Sequence, residues 1–473
     1  MTLLRKSLPY LTAIIFIPWL ALFATDQFSF NNKTELAAPV LFLILFAVLP
    51  LFLWKLELNF RMVLLPLLFV IVLILLFIFQ KDYFFRTGKE YLLFIAVLPV
   101  YYIIGEAIAF DLIFVGNPAT NTFYLAAGAL ISNFIGGPAA SLLLIRPFLN
   151  ANRYRKHSTH TVIFFIIIVA NASAFLSPIS NTHLYIAYLK GFSPEHFLKF
   201  IPIWLAIVGI LLFLFYLIDS IFLWKEPRQN HPAKQLAEAL YLSLKKEELK
   251  QSLILKTIQY LQKPTLQISG AYNVWLLPII LLILIFTSQL KSEIPYRELS
   301  LIILGIYSFI VTPVIHFKKR VIIRLLDLMF LYFFAFFVVG FIARMFIDEY
   351  PFYLDTIHKA WLISTLSGFI DNVSASVIIF NPEFLSRSVL EQSNFFSELI
   401  FSEKKFKNIT ALLIGISIMG GLTYLGNYVN IFIKDEAEKS GIKMPNFFMY
   451  MIYSIPVMII VSAVTIIFIS YIE

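Results

Sequence analysis

The fold is decided by the stretch TFYLAAGALISNFIGGPAASLLLIRPFL, residues 122–149. It is apolar at both ends, but Asn133 and the run Gly136-Gly137-Pro138 interrupt it halfway. Backbone that leaves the helix at membrane depth is tolerated only where protein or water satisfies its polar groups. The stretch is therefore predicted to be a re-entrant hairpin, which enters and leaves the membrane on one side. A kinked transmembrane helix is the alternative, since Gly and Pro are common in such helices.

The whole chain has the composition of a membrane protein. Of its 473 residues, 60% are hydrophobic and only 14% are charged, and the mean hydropathy is +0.85. Soluble domains carry about 25% charged residues, so soluble enzymes and nucleic-acid-binding modules are excluded. The net charge of +9 is then explained by basic loops that orient the chain in the membrane. The absence of cysteine excludes disulfides and thiolate metal sites.

A second stretch has the same character: HKAWLISTLSGFIDNVSASVIIFNP, residues 358–382, carries Gly368 and Asp371 in its middle. Each hairpin is followed by a long apolar segment that polar residues break halfway, at 160–190 and at 408–433. Broken helices at matching positions in two halves of a chain are the best sequence indication of a transporter's binding site. The chain is therefore predicted to contain an inverted repeat.

The remaining segments are assigned by their place around the hairpins. Loops rich in Lys and Arg lie on the cytoplasmic side, and nearly all such loops do so here if about eleven helices cross the membrane. The N-terminus is then cytoplasmic and the C-terminus outside. The fold class is an all-α polytopic inner-membrane protein with two re-entrant hairpins. Its predicted parts are N-terminal scaffold helices (1–89), the first inverted repeat (90–224), a cytoplasmic amphipathic linker (225–271), further scaffold helices (272–321) and the second inverted repeat (322–473).

Asp371 is the strongest candidate for a functional residue. It lies at the predicted tip of the second hairpin, beside Asn372 and shortly before Ser374. A charge at the centre of a membrane span costs about 3 kcal/mol or more, so an acid there needs a function or a partner. A carboxylate among carbonyl and hydroxyl oxygens suits a hard cation such as Na⁺, and it can also bind a proton. A structural alternative is that Asp371 caps the half-helix that begins there.

Other polar residues are expected to line the same site from the two tips and the two breaks. Their side chains supply neutral donors and acceptors, and the ends of half-helices add partial charges. A histidine in the first break could serve proton coupling, because an unperturbed histidine titrates at about pH 6.5, or it could only form a structural hydrogen bond. The expected ligands besides Asp371 are Asn133, Gly136, Gly137, Ser141, Ser180, Asn181, Thr182, His183, Asn372, Ser374, Thr423, Gly426, Asn427 and Asn430.

Two parts of the chain resemble the Na⁺/H⁺ antiporters that are also called citrate-transporter-like, in the ion transporter superfamily. The resemblance rests on short motifs in both repeats. They are NTFYLA at 121–126, ASLLLIRP at 140–147, HTVIFF at 160–165, IDN at 370–372, LTYLGN at 422–427 and GIKMPNFF at 441–448. It implies eleven spans with two hairpins, often in a dimer, and transport by alternating access.

The sequence departs from the family's pattern at the tips and breaks. The family's GTTGAS is GGPAAS at 136–141, and its GDPPL is SNTHL at 180–184, which puts Asn181 in the place of an acid. Asp371 is kept. Because one acid of the presumed pair is missing, the resemblance supports the scaffold more firmly than the transported species.

The sequence therefore predicts a secondary transporter and not an enzyme. It contains no GxxxxGK[ST] phosphate loop and no HExxH zinc motif. Na⁺/H⁺ antiport at Asp371 is the leading hypothesis, a cation-coupled carboxylate or other anion symporter is the second, and a non-transporting membrane scaffold is the third. The expected partners are the lipid bilayer, a small ion or small-molecule substrate, and a second copy of the chain. No nucleic acid is expected, and no cofactor other than a bound Na⁺.

Overall fold

The computed structural model describes the parts of the chain that contain both predicted hairpins and both predicted breaks. The described residues are 76–78, 80–107, 109–113, 116–153, 155–226, 265–269, 273, 275–287, 296–311, 328–329, 331–341, 357–380 and 403–471. Most of the predicted N-terminal scaffold (1–89) and most of the predicted linker (225–271) lie outside them.

The described elements are almost all helices. In the first half they are α1 (Lys81–Ala107), β1 (Ala109–Ile113), α2 (Pro118–Ile135), α3 (Gly137–Asn152), α4 (Thr159–Phe165), the π-helix π1 (Ile166–Ala172), α5 (Thr182–Leu189), α6 (Pro194–Leu198) and α7 (Ile201–Trp224). In the second half they are β2 (Thr265–Ser269), α8 (Leu276–Thr287), α9 (Tyr296–Val311), the π-helix π2 (Phe334–Val339), α10 (Ile357–Ser364), α11 (Ser367–Ile370), α12 (Asn372–Ile379), α13 (Glu403–Met419), α14 (Tyr428–Lys439) and α15 (Phe447–Tyr471).

One two-stranded ribbon departs from the helical pattern. Strands β1 and β2 pair antiparallel, with Asp111 opposite Gln267. The hydropathy of the sequence predicts a span over 90–111, but α1 ends at Ala107 and the chain continues as a strand. The end of the predicted linker is likewise a strand. A local hydropathy pattern cannot anticipate this pairing, because the two strands are far apart in the sequence.

Two described helices are long and apolar enough to cross a membrane on their own, namely α7 and α15. Shorter apolar helices are Thr159–Ala172, Glu298–Val311, Ala360–Ile370 and Phe406–Met419. Large apolar side chains of both long helices face outwards: Phe213 is 61% exposed and Ile459 is 64% exposed. Such faces are stable against lipid and not against water. A mostly helical membrane protein is confirmed, whereas the count of about eleven spans stays a prediction.

The chain divides into two compact units. The first comprises Met1–Leu92, Leu326–Phe352 and Val377–Ser388. In its described part the hydroxyl of Tyr83 donates to the carbonyl of Phe336 at 2.8 Å, and that of Tyr91 donates to Met329 at 3.0 Å. The second unit comprises Leu93–Leu325, Tyr353–Ser376 and Val389–Glu473. It contains every residue that the sequence predicts for the site.

Helices α2 and α3 fold back on each other as a helical hairpin. The turn is Gly136, and the side chains of Asn121 and Asn152, near the outer ends of the two helices, hydrogen bond at 2.9 Å. Closer to the turn, the Tyr124 hydroxyl donates to the carbonyl of Leu144 at 2.8 Å. The two arms are therefore in contact along their length. Their re-entrant course through a membrane stays a prediction.

The two broken segments, 159–192 and 406–443, pack side by side in opposite directions. Four contacts occur in reverse order along them: Thr159 Oγ1 with Lys443 O at 2.9 Å, Asn171 Nδ2 with Asn430 Oδ1 at 2.9 Å, His183 Nε2 with Ser417 Oγ at 3.0 Å, and the rings of Phe192 and Phe406 with centroids 6.4 Å apart. Each segment thus begins beside the end of the other. An antiparallel pair of interrupted helices is what an inverted repeat requires.

Candidate functional site

Both hairpin tips turn through the same unusual backbone conformation. Gly136, between α2 and α3, has φ 88° and ψ 142°, and Asp371, between α11 and α12, has φ 70° and ψ 144°. Glycine adopts positive φ freely, but a residue with a side chain does so at a cost of about 1–3 kcal/mol. Among the described residues Asp371 is the one non-glycine with positive φ. An aspartate is therefore kept where a glycine would be less strained.

The carboxylate of Asp371 lies where the second tip meets the second break. It is 8% exposed. One oxygen accepts the backbone N–H of Val373 at 2.9 Å, at the start of α12, and the other accepts that of Tyr428 at 3.1 Å, at the start of α14. These are the first turns of two helices, whose free N–H groups and partial positive charge favour an anion. Asp371 thus caps two half-helices at once, as its structural alternative predicts.

The first tip is held to the first break by neutral groups. The side-chain oxygen of Asn133 accepts the N–H groups of Phe175 at 3.1 Å and Leu176 at 2.9 Å. The N–H of Gly137 donates to the carbonyl of Ser180 at 2.7 Å. Asn133 therefore satisfies backbone donors of the unwound stretch. No carboxylate takes part in these contacts of the first tip.

Equivalent positions in the two halves make equivalent hydrogen bonds. Four residues before each tip, Ser132 and Ser367 donate to the carbonyl three residues earlier, both at 2.8 Å. Ser177 donates to the carbonyl of Asn133 at 2.7 Å, and Thr423 donates to that of Gly368 at 2.5 Å. Each donor lies four residues before an asparagine that caps the next half-helix, and each acceptor lies three residues before a tip. The tips and breaks of the two halves thus share two hydrogen bonds at matching positions, while the inverted repeat as a whole stays a prediction.

The caps of the two second half-helices are the clearest case. Asn181 begins α5 with φ −148° and its side chain accepts the N–H of Thr182 at 2.9 Å. Asn427 begins α14 with φ −150° and its side chain accepts the N–H of Val429 at 3.3 Å. Asparagine is among the preferred N-cap residues. Both breaks therefore restart as helices at an asparagine whose side chain accepts a backbone N–H, that of the next residue at Asn181 and that of the second residue on at Asn427.

Asparagine side chains join the two halves at the centre. The amide of Asn171, in π1, donates to Asn430 at 2.9 Å and its oxygen accepts from Asn427 at 3.0 Å. Asn430 in turn donates to the carbonyls of Gly420 and Thr423 at 2.7 and 2.9 Å. These three asparagines, 171, 427 and 430, are called the amide network below. All three are buried, and they satisfy carbonyls that the second break leaves without helical partners.

Two further contacts join the halves beside the amide network. Asn372 lies at the second tip, and its amide is 3.5 Å from the side-chain oxygen of Asn181. His183, fully buried, places Nε2 at 3.1 Å from the carbonyl of Leu413 and at 3.0 Å from the hydroxyl of Ser417. Its Nδ1 has no hydrogen-bond partner in the described part of the chain. Nδ1 of His183 is thus the atom of this contact at which a polar group could still bind.

Most of the residues predicted for the site therefore lie together, and a few do not. Ser374 and Gly426 are close to the second tip and break in sequence, and a Cβ at Gly426 would lie 2.6 Å from the carbonyl of Gly420. Thr182 follows the cap of α5. Ser141 is buried in α3 with no hydrogen-bond partner among the described residues. Its hydroxyl is therefore not hydrogen-bonded to the tips or the breaks that the structure describes.

Sequence reasoning misses Asn171 and Ser417. Asn171 is a single polar residue at the end of the apolar run Ile166–Ala170, and an isolated asparagine in a membrane span is costly unless it is hydrogen-bonded. Its side chain also donates to the carbonyl of Ile166 at 2.8 Å. In a π-helix each carbonyl lies beside the residue five positions later, which here is Asn171. A polar residue in this apolar run indicates a buried hydrogen bond, but its partners Asn427 and Asn430 are more than 250 residues away in the sequence.

The arrangement offers one carboxylate among neutral oxygens. In the described part of the chain no group of three His, Asp or Glu side chains is arranged to hold a metal ion. A cation at Asp371 would therefore complete its ligands with amide, hydroxyl or backbone oxygens, which hard cations accept. The N-terminus of α5, by contrast, is capped by the neutral Asn181 and not by a carboxylate, so its partial positive charge is not neutralised there.

Interrupted helices that pair in opposite directions within a helical membrane protein are the arrangement of secondary transporters. The chain matches the family model CitMHS_2, described as "Putative citrate transport", over residues 31–470. The match spans nearly the whole chain, so the protein belongs to this family. No curated protein matches the chain. The predicted citrate-transporter-like membership is confirmed, whereas exchange of Na⁺ for H⁺ stays a prediction.

Replacing Asn171 with alanine is expected to destabilise the protein by about 2–4 kcal/mol, because it leaves two buried amides without their partner. Ser417→Ala removes only the hydroxyl beside His183 and is expected to cost about 1 kcal/mol. Unfolding can be followed by intrinsic fluorescence, since the chain has six Trp and no Cys. Equal losses in the two variants would contradict a central role for the amide network.

Proposed function

We propose that this protein is a secondary active transporter that works by alternating access, with Asp371 as the residue that binds the coupling cation. The proposal is carried by one observation: a buried carboxylate is held in a strained conformation at the tip of a hairpin, in contact with an interrupted helix. Backbone strain of this kind persists at functional sites, where surrounding structure maintains it. We further propose the inner membrane, with the N-terminus cytoplasmic, and a homodimer.

The way the two halves meet supports alternating access. The equivalent hydrogen bonds at the tips and breaks are consistent with two copies of one unit, and the antiparallel broken segments are consistent with their inversion. In an inverted pair each half can adopt the conformation of the other, which converts an inward-facing state into an outward-facing one. Asp371 lies at the contact between tip and break, where such a change would alter its surroundings.

The first candidate cargo is a carboxylate of the citrate class, carried together with a cation. The family description supports it, and so does the difference between the two half-sites. The cap of α5 is neutral, so the first half-site favours an anion, whereas Asp371 gives the second half-site a negative charge that favours a cation. A cation bound at Asp371 would neutralise the charge of that residue, so that the two half-sites together could bind an anionic carboxylate.

The second candidate is Na⁺/H⁺ exchange at Asp371. It is supported by the hydrogen bonds described above at the tips and breaks, in which one carboxylate, and not two, takes part. If Na⁺ and H⁺ compete for one carboxylate, binding of either displaces the other, and the two ions cross the membrane in opposite directions. No carboxylate substrate is required in this case.

Transport by the purified protein in proteoliposomes distinguishes the two candidates. A pH gradient is imposed and followed with an internal pH-sensitive dye, while uptake of labelled citrate is measured under Na⁺ and H⁺ gradients of the same vesicles. Citrate uptake that needs a cation gradient supports symport. Dissipation of the pH gradient by Na⁺ without citrate supports exchange. A folded protein that moves neither ion nor solute would overturn the proposal and leave a membrane scaffold.

A further inference from the structure

A second buried polar cluster lies at the end of the α2–α3 hairpin opposite its tip. Its centre is Asp219 of α7, which is fully buried. One oxygen of its carboxylate is hydrogen-bonded by Nη1 of Arg155 and lies 2.8 Å from Nε2 of His160. The other oxygen accepts the side-chain amide of Asn121 at 3.0 Å. One carboxylate thus contacts α2, the α3–α4 connection and α4.

The same cluster closes the outer end of the hairpin. Asn121 of α2 and Asn152 of α3 exchange two amide hydrogen bonds, at 2.9 and 3.0 Å. Both residues are fully buried. Beside them, a Cβ at Gly116 would lie 2.3 Å from the side-chain oxygen of Asn152. The ends of the two arms are therefore fixed to each other and, through Asn121, to Asp219.

The C-terminal end of α7 and the residues just after it face this end of the hairpin. Asp219 lies in α7 and Glu226 follows two residues after the helix ends at Trp224; both face Arg155, whose Nε is 3.5 Å from Glu226. Between them the ring of Phe222 stacks on that of His160 with centroids 4.4 Å apart and an interplanar angle of 18°. The contact at the end of α7 is therefore both ionic and apolar.

This contact is hard to separate. Removing one partner of a buried ion pair is strongly destabilising, because the other charge is left uncompensated. Opening the hairpin at this end would leave Arg155, Asp219 and the Asn121–Asn152 pair without their partners together. The tip, by comparison, is held by hydrogen bonds between neutral groups and involves no buried charge.

We infer that Asp219 is a positioning residue for transport: it fixes the outer end of the α2–α3 hairpin to α7, so that hairpin, α4 and α7 move as one rigid body. The hairpin then does not open at this end during the cycle. The inference rests on the proposed transport function. It assigns a role to an acid near the C-terminal end of an otherwise apolar span.

The first test is a cross-link that the rigid body should tolerate. Because the chain has no Cys, Asn121→Cys/Asn152→Cys provides two unique thiols, which Hg²⁺ bridges and excess thiol releases. The bridged protein is expected to transport citrate or Na⁺ at a rate within about twofold of the released protein, since this end does not open. Loss of transport on bridging that is regained on release would overturn the inference.

The second test covers the case in which the double variant does not fold. Asp219→Asn keeps the size of the side chain and one of its two acceptor oxygens, but leaves Arg155 without its main counter-charge. The maximal rate per folded molecule is expected to fall about tenfold with KM for cargo and cation unchanged, because binding groups are untouched. Arg155→Gln/Asp219→Asn removes both charges and is expected to restore the rate to within about threefold. A purely structural role would change only the amount of folded protein.

The wild-type protein in the same assay separates the two possible failures. An unchanged maximal rate for Asp219→Asn beside an active wild type would overturn this inference alone. A wild type that moves no cargo would overturn the proposed function, and this inference with it.

Discussion

Asp371→Asn is expected to reduce cation-coupled transport by about a hundredfold or more, since it removes the charge that binds the cation and keeps the shape of the side chain. Asparagine tolerates positive φ better than most residues, so the tip is expected to keep its conformation. Initial rates in proteoliposomes, with the cation gradient imposed and with it collapsed, measure the effect. Coupled transport that survives this substitution would refute the role of Asp371.

A companion substitution separates the carboxylate from the backbone strain. Asp371→Gly removes the strain, worth about 1–3 kcal/mol, and also removes the caps on α12 and α14, worth about 1–2 kcal/mol. Its thermal stability is therefore expected to be close to that of the wild type, with transport absent. Asp435→Asn, which neutralises an acid elsewhere on α14, is the matched control and is expected to transport normally. If Asp371→Gly unfolded the protein, the carboxylate would be a structural cap first.

Gly420→Ala is expected to disrupt the centre of the protein. A Cβ at this position would lie 2.6 Å from the side-chain oxygens of both Asn171 and Asn372, which no real contact permits. Both side chains must therefore move away from the new Cβ, and when Asn171 moves, the rest of the amide network moves with it. Overpacking together with the lost hydrogen bonds is expected to cost about 3 kcal/mol or more and to abolish transport. Thermal unfolding by Trp fluorescence and the proteoliposome rate measure the two effects.

Gly209→Ala is the control for the same chemical change. A Cβ at Gly209, in α7, would have no heavy atom within 4 Å. Alanine is the better helix former, so this variant is expected to be neutral or more stable by up to about 1 kcal/mol. Similar losses in Gly420→Ala and Gly209→Ala would mean that the close approach at Gly420 does not matter.

The turning points of the chain were visible in its sequence for a physical reason. Gly136 and Asp371 stand in apolar runs where a helix would otherwise continue, and the structure places the change of direction at these two residues. Asn181 and Asn427 are predicted from the sequence as neutral ligands, and the structure shows that both also cap the half-helices that follow them. Where these groups bind ligands stays a prediction, because the structure describes their protein contacts.

What the sequence could not provide is the partner of each isolated polar residue. Asn171 and Asp219 each interrupt an apolar helix once, which indicates a buried polar contact but not its other member. Their partners lie in distant segments, and only the fold brings them together. Arg155 illustrates the same limit: as part of a basic loop it indicates orientation in the membrane, yet in the structure its charge is buried against Asp219. The β1–β2 ribbon likewise depends on a long-range pairing.

The amide network has a consequence for how well the protein could hold a gradient. An unwound helix normally draws solvent into a bilayer, and a continuous file of water lets protons leak along it. Here protein side chains make the hydrogen bonds that water would otherwise make. Asn430 donates to the carbonyls of Gly420 and Thr423, and Asn133 accepts the N–H groups of Phe175 and Leu176. The unwound stretches can therefore exclude water between transport cycles, so that protons do not leak through the protein along them.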